Sequence, residues 1–157
     1  MTVKVDHFLP YGRQTIDDLD IQAVLDVLNG DYITQGPKVQ EFQASLSQYV
    51  GAKYTVACNS GTSALHIACQ ALSLSNGGKL VTAPITFLAS ANCAQFVGAD
   101  TKFVDIDPKT YCMSANELEK LLSKEKIDVV VPVHMAGHSA DMEHIFDLKN
   151  KYGFHII

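Results

Sequence analysis

Hydrophobic positions recur at helical spacing in two stretches near the start of the chain. In residues 17–28 the apolar side chains fall close to one helix face: Leu19, Val24, Leu25 and Leu28. Asn29-Gly30 is a typical stop signal for that helix. Pro37 suits the first turn of a second helix, which we expect to reach about residue 50. The pattern therefore predicts two helices joined by a short polar loop.

From residue 54 onward, short apolar runs alternate with helical patterns. The runs predict strands over 54–58, 79–83, 101–105 and 127–133 and from 154. Helices are expected over 62–74, 87–97, 114–124 and 139–152. This alternation is typical of βαβ units, so the predicted fold class is α/β with a mostly parallel sheet between helices. Because the last predicted strand begins just before Ile157, we expect the chain to be the N-terminal part of a longer protein.

Composition narrows the function classes. The chain has 157 residues, of which 47% are hydrophobic and 18% charged, enough to bury one ordinary core. Its net charge is −5 without a basic stripe, which disfavours nucleic acid as a partner. No apolar run approaches the roughly 20 residues of a membrane span, and the N-terminus lacks a signal-peptide pattern. We therefore expect no membrane partner and a cytoplasmic location.

The four cysteines lie far apart and form no CxxC pair: Cys58, Cys69, Cys93 and Cys112. A disulfide framework or a structural zinc site is therefore disfavoured, and buried reduced thiols are expected. His134 and His138 stand four residues apart, with Asp141 and His144 following. Gly137 interrupts the helix that would align the first pair, so we predict no metal site there.

A small-residue bend separates the predicted strand 54–58 from the next helix, with the sequence Asn59-Ser60-Gly61-Thr62-Ser63. Unpaired amides at a helix N-terminus suit a phosphate, and Gly61 lets an anion approach the backbone closely. Alternatively, Ser60 or Thr62 simply caps the helix. The pattern is neither a Walker P-loop nor GxGxxG, so both interpretations stay open.

Phe87 opens the predicted helix that follows the strand 79–83, at the same edge of the sheet as the bend. An aromatic ring in that position can lie flat over a ring bound above the bend. Burial in the hydrophobic core is the alternative, and it is the more frequent fate of a phenylalanine.

Five segments, taken together, carry a resemblance to a known family: "PYGRQTIDDLDIQAVLDVLNGDYITQGPKVQEFQ", "NSGTSALHIACQAL", "PITFLASANCAQFVGA", "FVDIDPKTYCMS" and "VVVPVHMAGHSADM". In this order they resemble the N-terminal portion of the DegT-type nucleotide-sugar aminotransferases, which are fold-type-I enzymes that use pyridoxal phosphate (PLP). Within that family, "YGRQTID", "DYITQGP" and "SGTSALHIAC" look most like the branch that serves pseudaminic acid biosynthesis. The likeness covers nearly the whole chain.

The resemblance implies a division of the chain and a site. Residues 1–50 would form an N-terminal helical arm with a substrate loop, and residues 51–157 the first part of the large PLP-binding domain. Cofactor contacts would come from four residues: Gly61, Thr62, Ser63 and Phe87. The sugar-nucleotide site would be lined by six: Tyr11, Asp31, Tyr32, Ile33, Thr34 and Gly61. The implied substrates are L-glutamate and a UDP-4-keto-6-deoxy-N-acetylhexosamine, and the complete enzyme would be a homodimer.

No catalytic residue is expected within the chain itself. The family places an acid against the pyridine nitrogen in a motif like "EDxxHALG", directly after "FHII", and a Schiff-base lysine further on, in a segment like "SFHxxK". Both would lie beyond Ile157, and residues 1–157 alone would be inactive. Other interpretations stay open: a different sugar aminotransferase of the family, a PLP-dependent sugar dehydratase with histidine for lysine, or a non-catalytic sugar-nucleotide or phosphate-binding domain.

Overall fold

The computed structural model describes residues 12–157, which fall into two compact units. The first ends at Ala57, and the second spans Cys58–Ile157. In the first unit, α1 spans Asp18–Leu28 and α2 spans Pro37–Val50. Both predicted helices of this region are thereby confirmed. The resemblance places a domain boundary between residues 50 and 51, whereas the structure divides after Ala57. The domain assignment itself stays a prediction.

Local hydrogen bonding explains where α1 begins. The Asp17 carboxylate accepts bonds from the amides of Leu19 and Asp20, at 2.9 and 3.1 Å, and the Asp20 carboxylate accepts one from the Asp17 amide. This reciprocal pair is a capping box. At the start of α2, Pro37 loses nothing by lacking an amide hydrogen, because the first turn has no acceptor for it.

The predicted strand over residues 54–58 is wrong for the described structure. Residues 54–58 have no ladder partner among residues 12–157, and a strand without a neighbour cannot form a sheet. Side chains of α2 bond to this segment instead. The Ser47 hydroxyl lies 2.6 Å from that of Thr55, and the Ala57 amide donates to the Gln43 side chain at 2.9 Å.

The second unit is an alternation of helices and strands. Its helices are α3 (Gly61–Ala71), α4 (Ala89–Gln95), α5 (Ala115–Leu122) and α6 (Met142–Tyr152). Its strands are β1 (Lys79–Thr82), β2 (Asp100–Phe103), β3 (Val129–Val131) and β4 (His155–Ile156), and a 3-10 turn covers Met135–Gly137. All predicted elements from residue 62 onward are present, although most are shorter than predicted.

The four strands form one parallel sheet in the order β2-β1-β3-β4. Alternate residues of the strands serve two hydrophobic clusters on opposite faces. Leu80 and Val129 pack with α3 and α4, whereas Val81 and Val130 pack with α5 and α6. The predicted α/β class with a parallel sheet between helices is confirmed. Within residues 12–157, no helix is both long and apolar enough to cross a membrane.

The strand order creates a switch point between β1 and β3. The chain leaves β1 toward β2 on one side and leaves β3 toward β4 on the other, although β1 and β3 are neighbours. In open α/β sheets, ligands bind outside the carboxyl ends of such a strand pair. The two ends are tied together by the fully buried Thr82 hydroxyl, which donates to the Val131 carbonyl at 2.9 Å.

Candidate functional site

The predicted phosphate bend forms the N-terminus of α3. Ser60 is the cap residue, and its hydroxyl oxygen accepts a hydrogen bond from the Ser63 amide at 3.1 Å. The capping interpretation is therefore confirmed. It does not exclude an anion, because one side chain satisfies only one of the amides that a helix N-terminus leaves unpaired.

The hydroxyl groups around the cap form a chain of hydrogen bonds in which the donor of each bond is fixed. The Ser63 hydroxyl donates to Oδ1 of Asn59 at 2.9 Å and lies 3.0 Å from the Ser60 hydroxyl. Because the Ser63 proton is used on Asn59, the Ser60 hydroxyl must be the donor of the second bond. Ser63 can therefore offer a donor to an anion only if its hydroxyl turns away from Asn59.

Two amides at this helix end have no acceptor among the described residues, those of Gly61 and Thr62. A Cβ placed on Gly61 would meet no other atom within 4 Å, so the space beside it is open. The Thr62 hydroxyl likewise makes no hydrogen bond within residues 12–157. Two free amides, a hydroxyl and the positive end of an 11-residue helix are suited to a phosphate group.

The N-terminus of α3 is directed toward the carboxyl edge of the sheet. Residues 72–78 join the end of α3 to the start of β1, so the C-terminus of α3 lies near the amino edge. Cys69 near that end packs with Leu80 of β1 and Val129 of β3. A helix of this length rises about 16 Å, enough to carry its first turn past a strand of four residues.

Phe87 follows the carboxyl end of β1, and 77% of its surface is exposed. The alternative that Phe87 belongs to the core is therefore wrong for the described structure. The turn that presents it is held by the Thr86 hydroxyl, which donates to the Ser90 hydroxyl at 2.8 Å, and by the Phe87 carbonyl, which accepts from the Ser90 amide. An exposed ring in this position can stack on a flat ligand, and the cofactor-stacking role of Phe87 stays a prediction.

The predicted substrate loop belongs to the first unit, and its role stays a prediction. Tyr32 and Ile33 are both largely exposed, and Asp31 and Thr34 are exposed beside them. Gly36 closes the loop tightly, because a Cβ there would lie 2.8 Å from the Cβ of Tyr32. Gly61, also assigned to the sugar site, lies in the second unit, and Tyr11 lies outside the described residues.

Sequence reasoning treated His134 only as half of a doubtful metal pair, and the structure gives it another place. His134 follows the carboxyl end of β3, at the switch point, and its Nδ1 accepts the Ala140 amide at 3.1 Å. The sequence feature that could have indicated this position is that His134 comes just after an apolar run typical of a buried strand. Within residues 12–157, no group of three or more potential metal ligands occurs.

The buried cysteines and Lys79 are unsuited to act as nucleophiles at this edge of the sheet. Cys69, Cys93 and Cys112 are buried, whereas Cys58 is exposed, so the expectation of buried thiols is wrong for Cys58. Burial, with a contribution from neighbouring Cys93, raises the pKa of Cys69 to about 12. Lys79 begins β1 at the opposite edge of the sheet, where a bond to Glu125 at 2.5 Å raises its pKa.

Comparison with known proteins yields a family match and several close relatives. Residues 14–157 match the model of the DegT/DnrJ/EryC1/StrS aminotransferase family. The spore coat polysaccharide biosynthesis protein SpsC of Bacillus subtilis is 37% identical over 157 residues, which are 100% of this chain and 40% of SpsC. The UDP-4-amino-4-deoxy-L-arabinose–oxoglutarate aminotransferase of Shewanella sediminis is 34% identical over 97% of this chain and 39% of that enzyme.

Among solved structures, the putative sugar aminotransferase Spr1654 from Streptococcus pneumoniae superimposes on this chain with a TM-score of 0.85 at 30% identity. The match covers 95% of this chain and 38% of that one. Spr1654 is known in a PLP form and in a pyridoxamine phosphate (PMP) form. This chain thus spans about 40% of the length of the curated relatives that it matches.

Proposed function

Because the chain belongs to the DegT/DnrJ/EryC1/StrS aminotransferase family, we propose that residues 58–157 form the phosphate-binding and ring-stacking side of a PLP-dependent aminotransferase site. The observation that carries this proposal is the pair of unpaired amides, of Gly61 and Thr62, at the start of α3. The space beside Gly61 is open, and it lies at the edge of the sheet where α/β proteins bind their ligands.

Each predicted cofactor residue has a distinct part in this proposal. The amides of Gly61 and Thr62 and the Thr62 hydroxyl would donate to the phosphate oxygens. Ser63 would join them through its hydroxyl after release from Asn59, since its amide bonds to Ser60. Phe87 would cover one face of the pyridine ring and exclude water from it. PLP, when bound, would supply the electron sink on which amino-group transfer depends.

For the whole enzyme, we propose transfer of an amino group from L-glutamate to the C4 ketone of a UDP-4-keto-6-deoxy-N-acetylhexosamine, in pseudaminic acid biosynthesis. Tyr11 and the loop Asp31–Thr34 would contact the sugar nucleotide, and the enzyme would work as a cytoplasmic homodimer. Support comes from the relatives, one of which is a UDP-sugar aminotransferase and another a polysaccharide biosynthesis protein.

Residues 1–157 by themselves are proposed to bind the cofactor without transferring an amino group. No lysine lies at the carboxyl ends of β1 and β3 in the described part of the chain, residues 83–88 and 132–141. Transfer requires a lysine there to carry the proton between donor and cofactor.

The cofactor side of the proposal is tested by PMP, which has no aldehyde and so cannot react with surface lysines. Quenching of its fluorescence would give a Kd for the chain, for Thr62→Ala and for the control Thr110→Ala, which lies in the loop after β2. We expect Thr62→Ala to weaken binding about ten-fold, since a hydroxyl bond to a charged group is lost. An unchanged Kd for Thr62→Ala, or no binding by the unaltered chain, would contradict the proposal.

The reaction itself is tested with protein expressed from the complete reading frame. It is incubated with PLP, L-glutamate and one UDP-4-keto sugar at a time, and 2-oxoglutarate and the amino sugar are measured. Formation of a 4-amino sugar supports the proposal. A dehydrated sugar without amine would indicate the dehydratase alternative, and binding without turnover of any sugar would indicate a non-catalytic binding protein.

A further inference from the structure

His134 follows the carboxyl end of β3, at the switch point of the sheet. The carboxyl ends of β1 and β3 are adjacent and are joined by the buried bond from Thr82 to Val131. Phe87 follows the first of these ends, and His134 follows the second. Both side chains are exposed rather than part of the core. A flat ligand stacked on Phe87 therefore has the end of β3 beside it.

The loop that carries His134 has a constrained backbone. Ala136 and Gly137 both adopt left-handed conformations, with φ of +50° and +83°, and the first is unusual for a residue with a Cβ. Two contacts hold the loop in this form. The His138 amide donates to the Met135 carbonyl at 2.8 Å, and the Cys112 thiol donates to the His138 carbonyl at 3.4 Å.

A third contact sets the tautomer of His134. Its Nδ1 accepts the Ala140 amide at 3.1 Å, and an accepting nitrogen carries no proton. The proton of the neutral ring therefore lies on Nε2, which has no acceptor among residues 12–157. The ring is thus held by one nitrogen and offers a hydrogen-bond donor with the other.

From this arrangement we propose that His134 is a ligand-binding residue, whose Nε2–H donates to an anionic oxygen on the ring side of the bound cofactor rather than on its phosphate. This inference rests on the proposed function, because the phosphate is assigned to the free amides at the start of α3. The Ala140 amide would act as a positioning group, since it fixes the ring orientation before the ligand arrives.

Two substitutions of His134 distinguish the role of Nδ1 from the role of Nε2. His134→Asn can place Oδ1 where Nδ1 lies, which keeps the bond to the Ala140 amide but removes the Nε2–H donor. His134→Gln can place an amide donor near Nε2 and should restore part of the binding. His138→Asn is the matched control, since His138 is exposed in the same loop and its ring makes no hydrogen bond among the described residues.

Kd values for PMP and for inorganic phosphate are then measured with the 157-residue chain. We expect His134→Asn to weaken PMP binding roughly ten-fold or more and to leave phosphate binding unchanged, because a hydrogen bond to a charged oxygen is lost. His134→Gln should fall between His134→Asn and the unaltered chain, and His138→Asn should match the unaltered chain. Equal PMP affinity of His134→Asn and the unaltered chain would overturn the inference and leave the proposed function standing.

An independent readout comes from ¹⁵N NMR of the histidine rings. The unligated chain should show His134 as the Nε2–H tautomer, and PMP, but not phosphate, should shift the Nε2 resonance. A His134 ring protonated on Nδ1, or one that does not respond to bound PMP, would overturn the inference. If the unaltered chain binds neither probe, the proposed function fails, and the inference fails with it.

Discussion

Both units of the chain contain helices with apolar side chains at helical spacing, but these side chains are exposed in the first unit and buried in the second. In the first unit, α1 and α2 contain no buried residue, and Leu19 of α1 is 79% exposed. In the second unit, Leu118 of α5 is fully buried between the sheet and α6. Helices of both units have apolar side chains at helical spacing, yet only those of the second unit are buried within residues 12–157.

This difference teaches that periodicity identifies a helix but not the source of its stability. In α5 and α6, burial of apolar surface is the main stabilising contribution. In α1, the described contacts are the capping box and the intrahelical bonds. Isolated helices of this length are marginal in water, so α1 depends strongly on local interactions. Two predictions test this comparison, and a third sharpens it by measuring how little ion pairs add to the buried core of the second unit.

The largest effect is expected from a leucine in each unit. Leu118→Ala should lower the free energy of unfolding by about 2–5 kcal/mol, because it removes buried methyl groups and leaves a cavity. The matched change Leu19→Ala should alter it by no more than about 0.5 kcal/mol, since that side chain is exposed. Urea unfolding measures both. Equal losses would show that α1 is as well packed as α5, and the comparison would be wrong.

An intermediate effect is expected at the cap of α1. Asp17→Ala removes the acceptor of the Leu19 and Asp20 amides and should destabilise α1 by about 1 kcal/mol. Hydrogen exchange of the α1 amides measures this loss. Asp18→Ala is the control, because Asp18 is also acidic and in the first turn but accepts no cap bond. Similar exchange in both variants would contradict a role for the capping box.

The smallest effect is expected from acid. A bond from Lys151 at 2.8 Å lowers the pKa of Glu119 below its ordinary value of 4.5, and a bond from Lys79 lowers that of Glu125. Near these pKa values the unfolded chain binds more protons than the folded one. The contribution of the two pairs to stability is therefore present above pH 4.5 and is lost as the pH falls through the lowered pKa values.

Because both carboxylates are only partly buried, solvent screens these ion pairs and their contribution is small. Glu119→Gln should reduce the slope of unfolding free energy against pH below 4.5. Glu143→Gln should leave the slope unchanged, since Glu143 pairs with no cation in residues 12–157. A slope that is the same in all three proteins would exclude the Lys151–Glu119 pair as its source.

Much of the fold follows from local patterns. Pro37 and Asn29-Gly30 mark helix ends that the structure retains, because each acts through its own backbone or through residues within one turn. Residues 54–58 show where this reasoning fails. Their alternation suits a strand, but a strand also needs a neighbouring strand to pair with, and no local pattern reveals whether one is present.

In the candidate site too, some features were predictable from the sequence and others were not. Ser60, Gly61 and Thr62 were predictable as an N-terminus with free amides, since capping depends on adjacent residues. The exposure of Phe87 and the place of His134 at the switch point were not, because they depend on strands that are distant in sequence. A phenylalanine after an apolar run is more often buried, and only the folded structure shows that this one is exposed.

The amino-acid sequence alone predicts the helices, their caps and the α/β class. Hydrophobic periodicity and helix capping depend only on residues a few positions apart. Which strands are neighbours, where the switch point falls and which nitrogen of His134 is free depend on contacts between distant residues. Those contacts arise when the chain closes long loops to bury its apolar surface, a step that no short segment encodes by itself.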